Sequence, residues 1–447
     1  MRKPLVRLTC KSSLAFLLVF WSCATVTGQV VPRQSQFPTG LVHVRARHGS
    51  APAKGGPATA VSMGNWSQLG ELLPAPSVTY YVTAYSVAIS GDTIVVGSFA
   101  SLTQNNVAAY VFVKPADGWG NIHPVAALTV PIAGFDGSVA ISGDTIVVGD
   151  SDDGYSPGAA YVFVKPASGW TDMTPTATLA ASDSTAADDF GGPVSISGNT
   201  IVVGSGGFNS YAGAAYVFVK PAGGWTDMTQ TAKLTASDGQ PKDFLGSALS
   251  ISNNTIALGA RQVGGAASGK AYVFVEPATG WADMTQTAEL TVADTQEDFN
   301  MGISISVSGE TVLAGAPDFY DGTRPGGAYL FVKPRSGWTN ATQTAKLVAA
   351  DRKPDDQFGA CVLIKGRTAV VGTTYRSRGP NFAEGGAYVF IEPPGGWENM
   401  SSNTVLTGSD ARHFSWFGSA LDLDGNILAV GAPALQFQGA AYVFGLP

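Results

Sequence analysis

The chain is poor in the residues that do chemistry. Of its 447 residues only four are histidine and three are cysteine. Cys10 and Cys23 fall in an N-terminal stretch that reads as a leader, so Cys361 stands alone and no disulfide within the mature chain is expected. Such a fold must be held by burial and backbone pairing, and a chain this long with 45% apolar residues can supply both. Charged residues make up 13%, about half the usual share. His43, His48, His123 and His413 show no metal-ligand spacing. There is no GxSxG elbow, no P-loop and no dinucleotide fingerprint, so no cofactor, metal or catalytic group is expected. Cys361 stands where other repeats carry small or apolar residues (Val139, Val194, Ala248), which predicts a core thiol. Beyond the leader no apolar run is long enough to cross a bilayer.

What is present begins with an address. "MRKPLVRLTCK" is basic, "SSLAFLLVFW" is a short apolar run, and "SCATVTGQ" is rich in small residues: the plan of a secretory signal over residues 1–28. Cleavage after Gly28 fits best and after Ala24 is the alternative; a lipoprotein reading through Cys23 is disfavoured by the bulky "FWS" before it. Removing Arg2, Lys3, Arg7 and Lys11 makes a chain of net charge −7 still more acidic, which argues against nucleic acid or anionic membrane as partner. Residues 29–63, rich in Pro, Gly, Ala and Ser, have neither helical nor strand periodicity and read as a flexible tail.

From residue 64 to 447 the chain repeats itself. "AYVF" or "AYLF" occurs at Ala109, Ala160, Ala215, Ala271, Ala328, Ala387 and Ala441, and Trp119, Trp170, Trp225, Trp281, Trp338 and Trp397 mark the units. Each unit holds four strand-like runs. The first two are joined by two turn residues: Gly143-Asp144, Gly198-Asn199, Asn253-Asn254, Gly309-Glu310 and Asp424-Gly425. Gly in first position predicts type II′ hairpins, and Asn-Asn or Asp-Gly type I′. Runs such as "TIVVG" and "AYVFV" are apolar at nearly every position, hence covered on both faces. Four-stranded antiparallel blades repeated seven times predict an all-β, seven-bladed β-propeller. The seventh "AYVF" lacks the ending that the other six have, and "GNWSQLGELLPAPS" at Gly64–Ser77 resembles that ending. The N-terminal strand is therefore expected to complete the C-terminal blade, leaving no open edge. The fixed place of each Trp predicts packing between blades rather than a sugar platform.

Phe-Gly at Phe190-Gly191, Phe358-Gly359 and Phe417-Gly418, with Gly-Ala-Pro at Gly315-Ala316-Pro317 and Gly431-Ala432-Pro433, resembles the FG-GAP repeat family. The best-known members of that family form the seven-bladed propeller of integrin α chains. The resemblance implies an extracellular adhesion or surface-recognition role. The first unit, "YVTAYSVAIS", departs from it by lacking Phe-Gly. Family-style calcium sites need a long acidic loop between the first two strands. Two-residue turns leave no room for six to eight oxygen ligands, and "LDLDGN" (Asp422, Asp424) and "GDSDDG" (Asp150–Gly154) read as solvated turns.

In such a meander the 1–2 and 3–4 connections emerge at one end, the 2–3 and 4–1 connections at the other. The 4–1 connections carry Asp183, Asp188, Asp189, Asp238, Asp243, Asp294, Glu297, Asp298, Asp351, Asp355 and Asp356. By default the Asp before each Phe caps its own turn; summed around the ring these residues predict one negative face. The 2–3 loops escape the repeat, and a rigid scaffold carries its specificity in such loops. Asp318, Tyr320, Asp321 and Arg324 with Tyr375, Arg376 and Arg378 are the candidate contact patch. The expectation is a secreted, monomeric, non-catalytic propeller that binds an extracellular protein or glycan. A hydrolase or lyase with a channel-mouth site, signalled by His and carboxylates breaking the repeat near the axis, and a structural envelope or matrix component are the alternatives. The sequons at Asn65, Asn253, Asn340 and Asn399 matter only in a eukaryotic secretory pathway.

Overall fold

A computed structural model describes residues 66–73, 83–98, 106–131, 138–151, 157–261, 269–293, 300–317, 325–378, 382–402, 404–410, 412–433 and 439–446. The leader and tail expected over residues 1–63 lie outside them. The described residues form seven β-sheets, and only Phe208–Tyr211 makes a short helical turn. The blades begin at Thr83, Val139, Phe190, Ala248, Ser304, Phe358 and Ala420. In the third blade Phe190–Ser197, Thr200–Ser205, Ala214–Val219 and Ala232–Thr235 run antiparallel in sequence order. The last three strands of the chain, Ala420–Asp424, Ile427–Ala432 and Ala440–Gly445, share their sheet with Ser67–Leu72. That strand pairs antiparallel with Ala440–Gly445, from Ser67 opposite Gly445 to Leu72 opposite Ala441.

The core is seven cores, each lying between two neighbouring blades. Tyr216 and Phe218 of the third blade pack with Val147, Val162 and Leu179 of the second. Leu72, Ala429 and Val443 of the seventh sheet pack with Ile94, Tyr110 and Trp119 of the first. Trp170, Trp225, Trp281, Trp338 and Trp397 each sit in such a core, against the preceding blade. Burial of both faces explains why the second and third strands are apolar without alternation. Cys361 packs on the core between the sixth and seventh blades, and burial pushes its thiol up to about 12.

The Phe-Gly and Gly-Ala-Pro signatures turn out to be two halves of one contact. Gly191 and Gly359 each adopt φ +99°, and their carbonyls face the second-strand glycines Gly149 and Gly315 of the preceding blade. A Cβ on Gly149 or Gly315 would stand 2.1 or 2.0 Å from those oxygens. Glycine is thus required on both sides, once for its conformation and once for the close approach. In the first blade Ala84 occupies the left-handed position at φ +68°, its carbonyl facing Gly431.

Three sequence expectations are corrected. Four blades are five-stranded: Met228–Thr229, Met284–Thr285, Ala341–Thr342 and Met400–Ser402 each add a parallel strand to the outer edge of the preceding blade. These short segments follow the Trp of the next repeat and are too brief to register as strands in the sequence. The last hairpin turn is Gly425-Asn426, because Asp424 pairs with Ile427. In addition, Asn253 is left-handed (φ +53°) but Asn254 is not, which is the φ pattern of type II′ and not the type I′ expected of Asn-Asn.

The outer junctions are clamped by side chains. Two residues after each Trp, an Asn or Asp accepts the N–H of a fourth-strand residue in the preceding blade. The pairs are Asn121–Glu71, Asp172–Ala127, Asp227–Thr178, Asp283–Lys233, Asn340–Glu289 and Asn399–Lys346, at 2.8–2.9 Å. Gln230 adds a two-bond clamp, taking the Ser182 N–H and donating to its hydroxyl, each at 2.9 Å. Gln286 does the same at Ser237. Between the sixth and seventh blades Gln68 binds Ser409 in this way.

Candidate functional site

The hairpin end is built for closure. A cavity of about 340 Å³ lies there, lined by residues from all seven blades, among them Ser90, Ser142, Ser197, Ser252, Ser308, Lys365 and Asp424. Each serine hydroxyl accepts an N–H of the next blade, as Ser90 does from Gly143 (3.1 Å) and Ser308 from Gly366 (3.0 Å). Deeper in, Ser195, Ser250 and Ser306 take the N–H groups of Ile251, Val307 and Ile364. The seventh blade puts aspartate at both levels: Asp422 takes the N–H of Ile89 and Asp424 that of Gly91, both at 2.7 Å. Burial raises Asp422 to about 6, although the Ile89 and Leu423 N–H groups pull it down. The carboxylates that break the repeat near the axis are therefore engaged as backbone acceptors.

At the other end several acids of the connections have internal partners. Asp188, Asp243 and Asp356 accept the N–H of the residue three before them, at 2.6–2.7 Å, so these three cap their turns, while Asp294, Glu297 and Asp298 lie outside the described residues. In four connections the first acid receives a tyrosine hydroxyl from the "AYVF" motif of the next blade. These pairs are Tyr216–Asp183 and Tyr272–Asp238 (both 2.9 Å), Tyr388–Asp351, and Tyr442–Asp410 (2.6 Å). Lys233 and Lys270 pair with Asp183 and Asp238 at 2.6 Å. Burial opposes ionisation, but these hydrogen bonds hold both carboxyls below their ordinary range. The charge expected on this face is thus locally neutralised at these positions.

Of the candidate contact residues, Asp318, Tyr320, Asp321 and Arg324 lie outside the described residues. The other three sit in the 2–3 loop of the sixth blade. Arg376 is buried, with Nη1 2.7 Å from Glu384 Oε1 and Nε donating to the Tyr388 hydroxyl at 3.1 Å. Arg378 forks onto both oxygens of Asp356 (3.0 and 2.8 Å) and reaches Asp351 at 3.1 Å. Burial pushes Asp351 up, but Tyr388 and the two guanidinium groups hold it below the usual carboxylate range. Both arginines therefore pin the loop. Tyr375 stacks on Trp416 of the following 4–1 connection, with ring centres 6.5 Å apart and planes within 20°.

What this framework presents was not picked out from the sequence. Phe382 at the end of the pinned loop is 51% exposed, and Phe414 in the adjoining connection is 50% exposed. Their rings meet edge to face with centres 5.3 Å apart. Backbone bonds fix them: the Phe414 N–H donates to the Phe382 carbonyl (2.8 Å), and the Phe382 N–H to His413 Nδ1 (3.0 Å). Ala383, Phe414 and Trp416 are all left-handed, at φ +50°, +59° and +52°. That conformation costs about 1–3 kcal/mol for each such residue. A signal was available: Phe414 occupies the position of Lys242 and Asp355 in other repeats, where an aromatic is out of place.

Comparison with known families agrees with this architecture. The FG-GAP repeat model matches residues 66–112, 173–218, 228–274, 341–390 and 400–444, more than half of the chain. Each matched segment runs from a connector or fourth strand through the third strand of the following blade. No curated protein matches the sequence at a significant level. With matches recurring in register around a seven-bladed ring, the chain belongs to the FG-GAP repeat family.

Proposed function

We propose that this protein is a secreted, non-catalytic binding module of the adhesion type, which recognises an extracellular protein or glycan through its 2–3 and 4–1 loop face. One observation carries the reading: the loop face holds an exposed aromatic pair on a loop pinned by a buried ionic network. A buried ion pair is an expensive way to gain stability but an effective way to fix a geometry. Preorganisation of exposed aromatic groups is what a recognition site requires. Asp422 and Asp424 near the axis, and Arg376 and Arg378 on the loop face, have structural partners within the chain, which favours binding over catalysis as the use of this scaffold.

The test compares the two ends of the ring. Arg378→Ala should loosen the loop and weaken capture of extracellular-matrix proteins or cell-surface glycans, whereas Lys365→Ala at the hairpin end should leave capture unchanged. Equal effects, or none, would remove the loop face from the reading. Secretion is tested separately: N-terminal sequencing of the protein from culture medium should begin at Gln29.

A further inference from the structure

We propose that the Phe382–Phe414 corner is a carbohydrate subsite that stacks one neutral pyranose ring. This rests on the loop-face reading above and names its ligand class. The argument starts from what covers aromatic rings elsewhere on this face. In the equivalent loops of the third and fourth blades, Phe244 lies beneath the guanidinium of Arg261, 4.6 Å from its ring centre. Phe208 lies beneath the Lys233 ammonium at 3.3 Å. Those rings spend their negative faces on internal cations. Among the described residues no cation lies over Phe382 or Phe414, and both remain half-exposed.

The shape of the corner selects the ligand. Two rings inclined at 66° offer a face and an edge at one point. Two side chains are far smaller than the apolar core of a protein interface. A pyranose needs one apolar floor for its C–H face and polar groups beside it for its hydroxyls. His413 supplies one: its Nδ1 accepts the Phe382 N–H, so in the neutral ring the proton is on Nε2, free to donate. Arg412, exposed and two residues before Phe414, can supply further donors, and no ion pair of its side chain is found among the described residues. The acids nearest in the sequence are both committed elsewhere, Glu384 to Arg376 and Asp410 to Tyr442. A neutral sugar fits these donors without needing a counter-charge. The Tyr375–Trp416 stack and the Arg376–Glu384 pair keep the floor rigid, which lowers the ordering entropy of binding.

The test uses the full chain as secreted, probed by calorimetry with galactose, lactose, cellobiose and chitobiose, and on an array of immobilised neutral glycans. At least one neutral pyranose should bind. Phe414→Ala and Phe382→Ala should each weaken it tenfold or more at unchanged thermal midpoint, and Phe414→Trp should restore binding. Tyr211→Ala, whose ring lies 5.1 Å from the cation-covered Phe244, should have no effect. Sugar binding indifferent to both Phe substitutions would overturn the assignment. So would the absence of any pyranose from both assays, even if a protein partner bound through the same phenylalanines. That last outcome would leave the loop-face reading standing, whereas loss of all binding from this face would remove both.

Discussion

Replacing Asp422 by serine should make the ring less sensitive to pH. Asp422 accepts the Ile89 N–H where three other junctions use the hydroxyls of Ser195, Ser250 and Ser306. Burial places its folded pKa near 6, against an ordinary value of 3.8. Between those values the folded state binds the proton more tightly than the unfolded chain, so the contribution to stability is complete below pH 3.8 and disappears as pH rises through 6. A difference of this size corresponds to at most about 3 kcal/mol, of which roughly 2 lies between pH 4.5 and 7.5. Asp183, Asp238 and Asp351 have lowered values and act in the opposite direction, below the ordinary carboxylate range and largely outside this window. Glu71 is raised as well, but both proteins retain it. Asp422→Ser keeps an acceptor for the Ile89 N–H and removes the titrating group. Thermal melts at pH 4.5, 6 and 7.5 should show the wild type losing a few degrees more than the variant across that range. Parallel pH profiles would mean that Asp422 is not held near 6, and would refute the argument.

Ala84→Gly should raise stability by about 1 kcal/mol, because Ala84 sits at φ +68° where five other blades use glycine (Gly191, Gly246, Gly302, Gly359 and Gly418); no gain in denaturant midpoint would count against strain there. Deleting residues 1–60 should leave the melting temperature of the purified protein unchanged, whereas deleting 1–77 removes Leu72 from the core between the seventh and first sheets and bares the Ala440–Gly445 edge. That loss is several kcal/mol, so the longer deletion should aggregate, and equal melts for the two would show that the N-terminal strand does not close the ring. Because the first two strands of each blade meet in two-residue turns, EDTA should not shift the melt; a fall of several degrees reversed by Ca²⁺ would reveal a site elsewhere.

The architecture was readable because repetition averages over local ambiguity. A single "TIVVG" could be strand or buried helix, but seven copies spaced by Trp and closed by Gly-x turns leave one solution. The connector "TDMTQTA" gives no strand signal of its own. Its Asp, Met and Gln each reach across to the preceding blade, and contacts between repeats leave no period within one repeat. The loop-face site was less legible for a related reason. Arg376 and Arg378 drew attention as charges that break the repeat, yet their partners Asp351, Asp356 and Glu384 lie 8 to 27 residues away and become visible only when the chain is folded. Phe414 could have been found from its place where other repeats carry Lys242 and Asp355, but Phe382 lies in a loop that escapes the repeat and has no such reference position.

The one-strand offset between the matched repeat and the folded sheet has a consequence for ancestry. A segment such as residues 228–274 carries the outer strand of one blade and the three inner strands of the next, so each duplicated copy brings one donor edge and one acceptor edge. Gain or loss of a whole copy leaves the two chain ends complementary to each other. Lineages descended from one such gene can therefore change ring size in single-copy steps without inventing a new seam, whereas an insertion of half a copy would strand an unpaired edge and be purged.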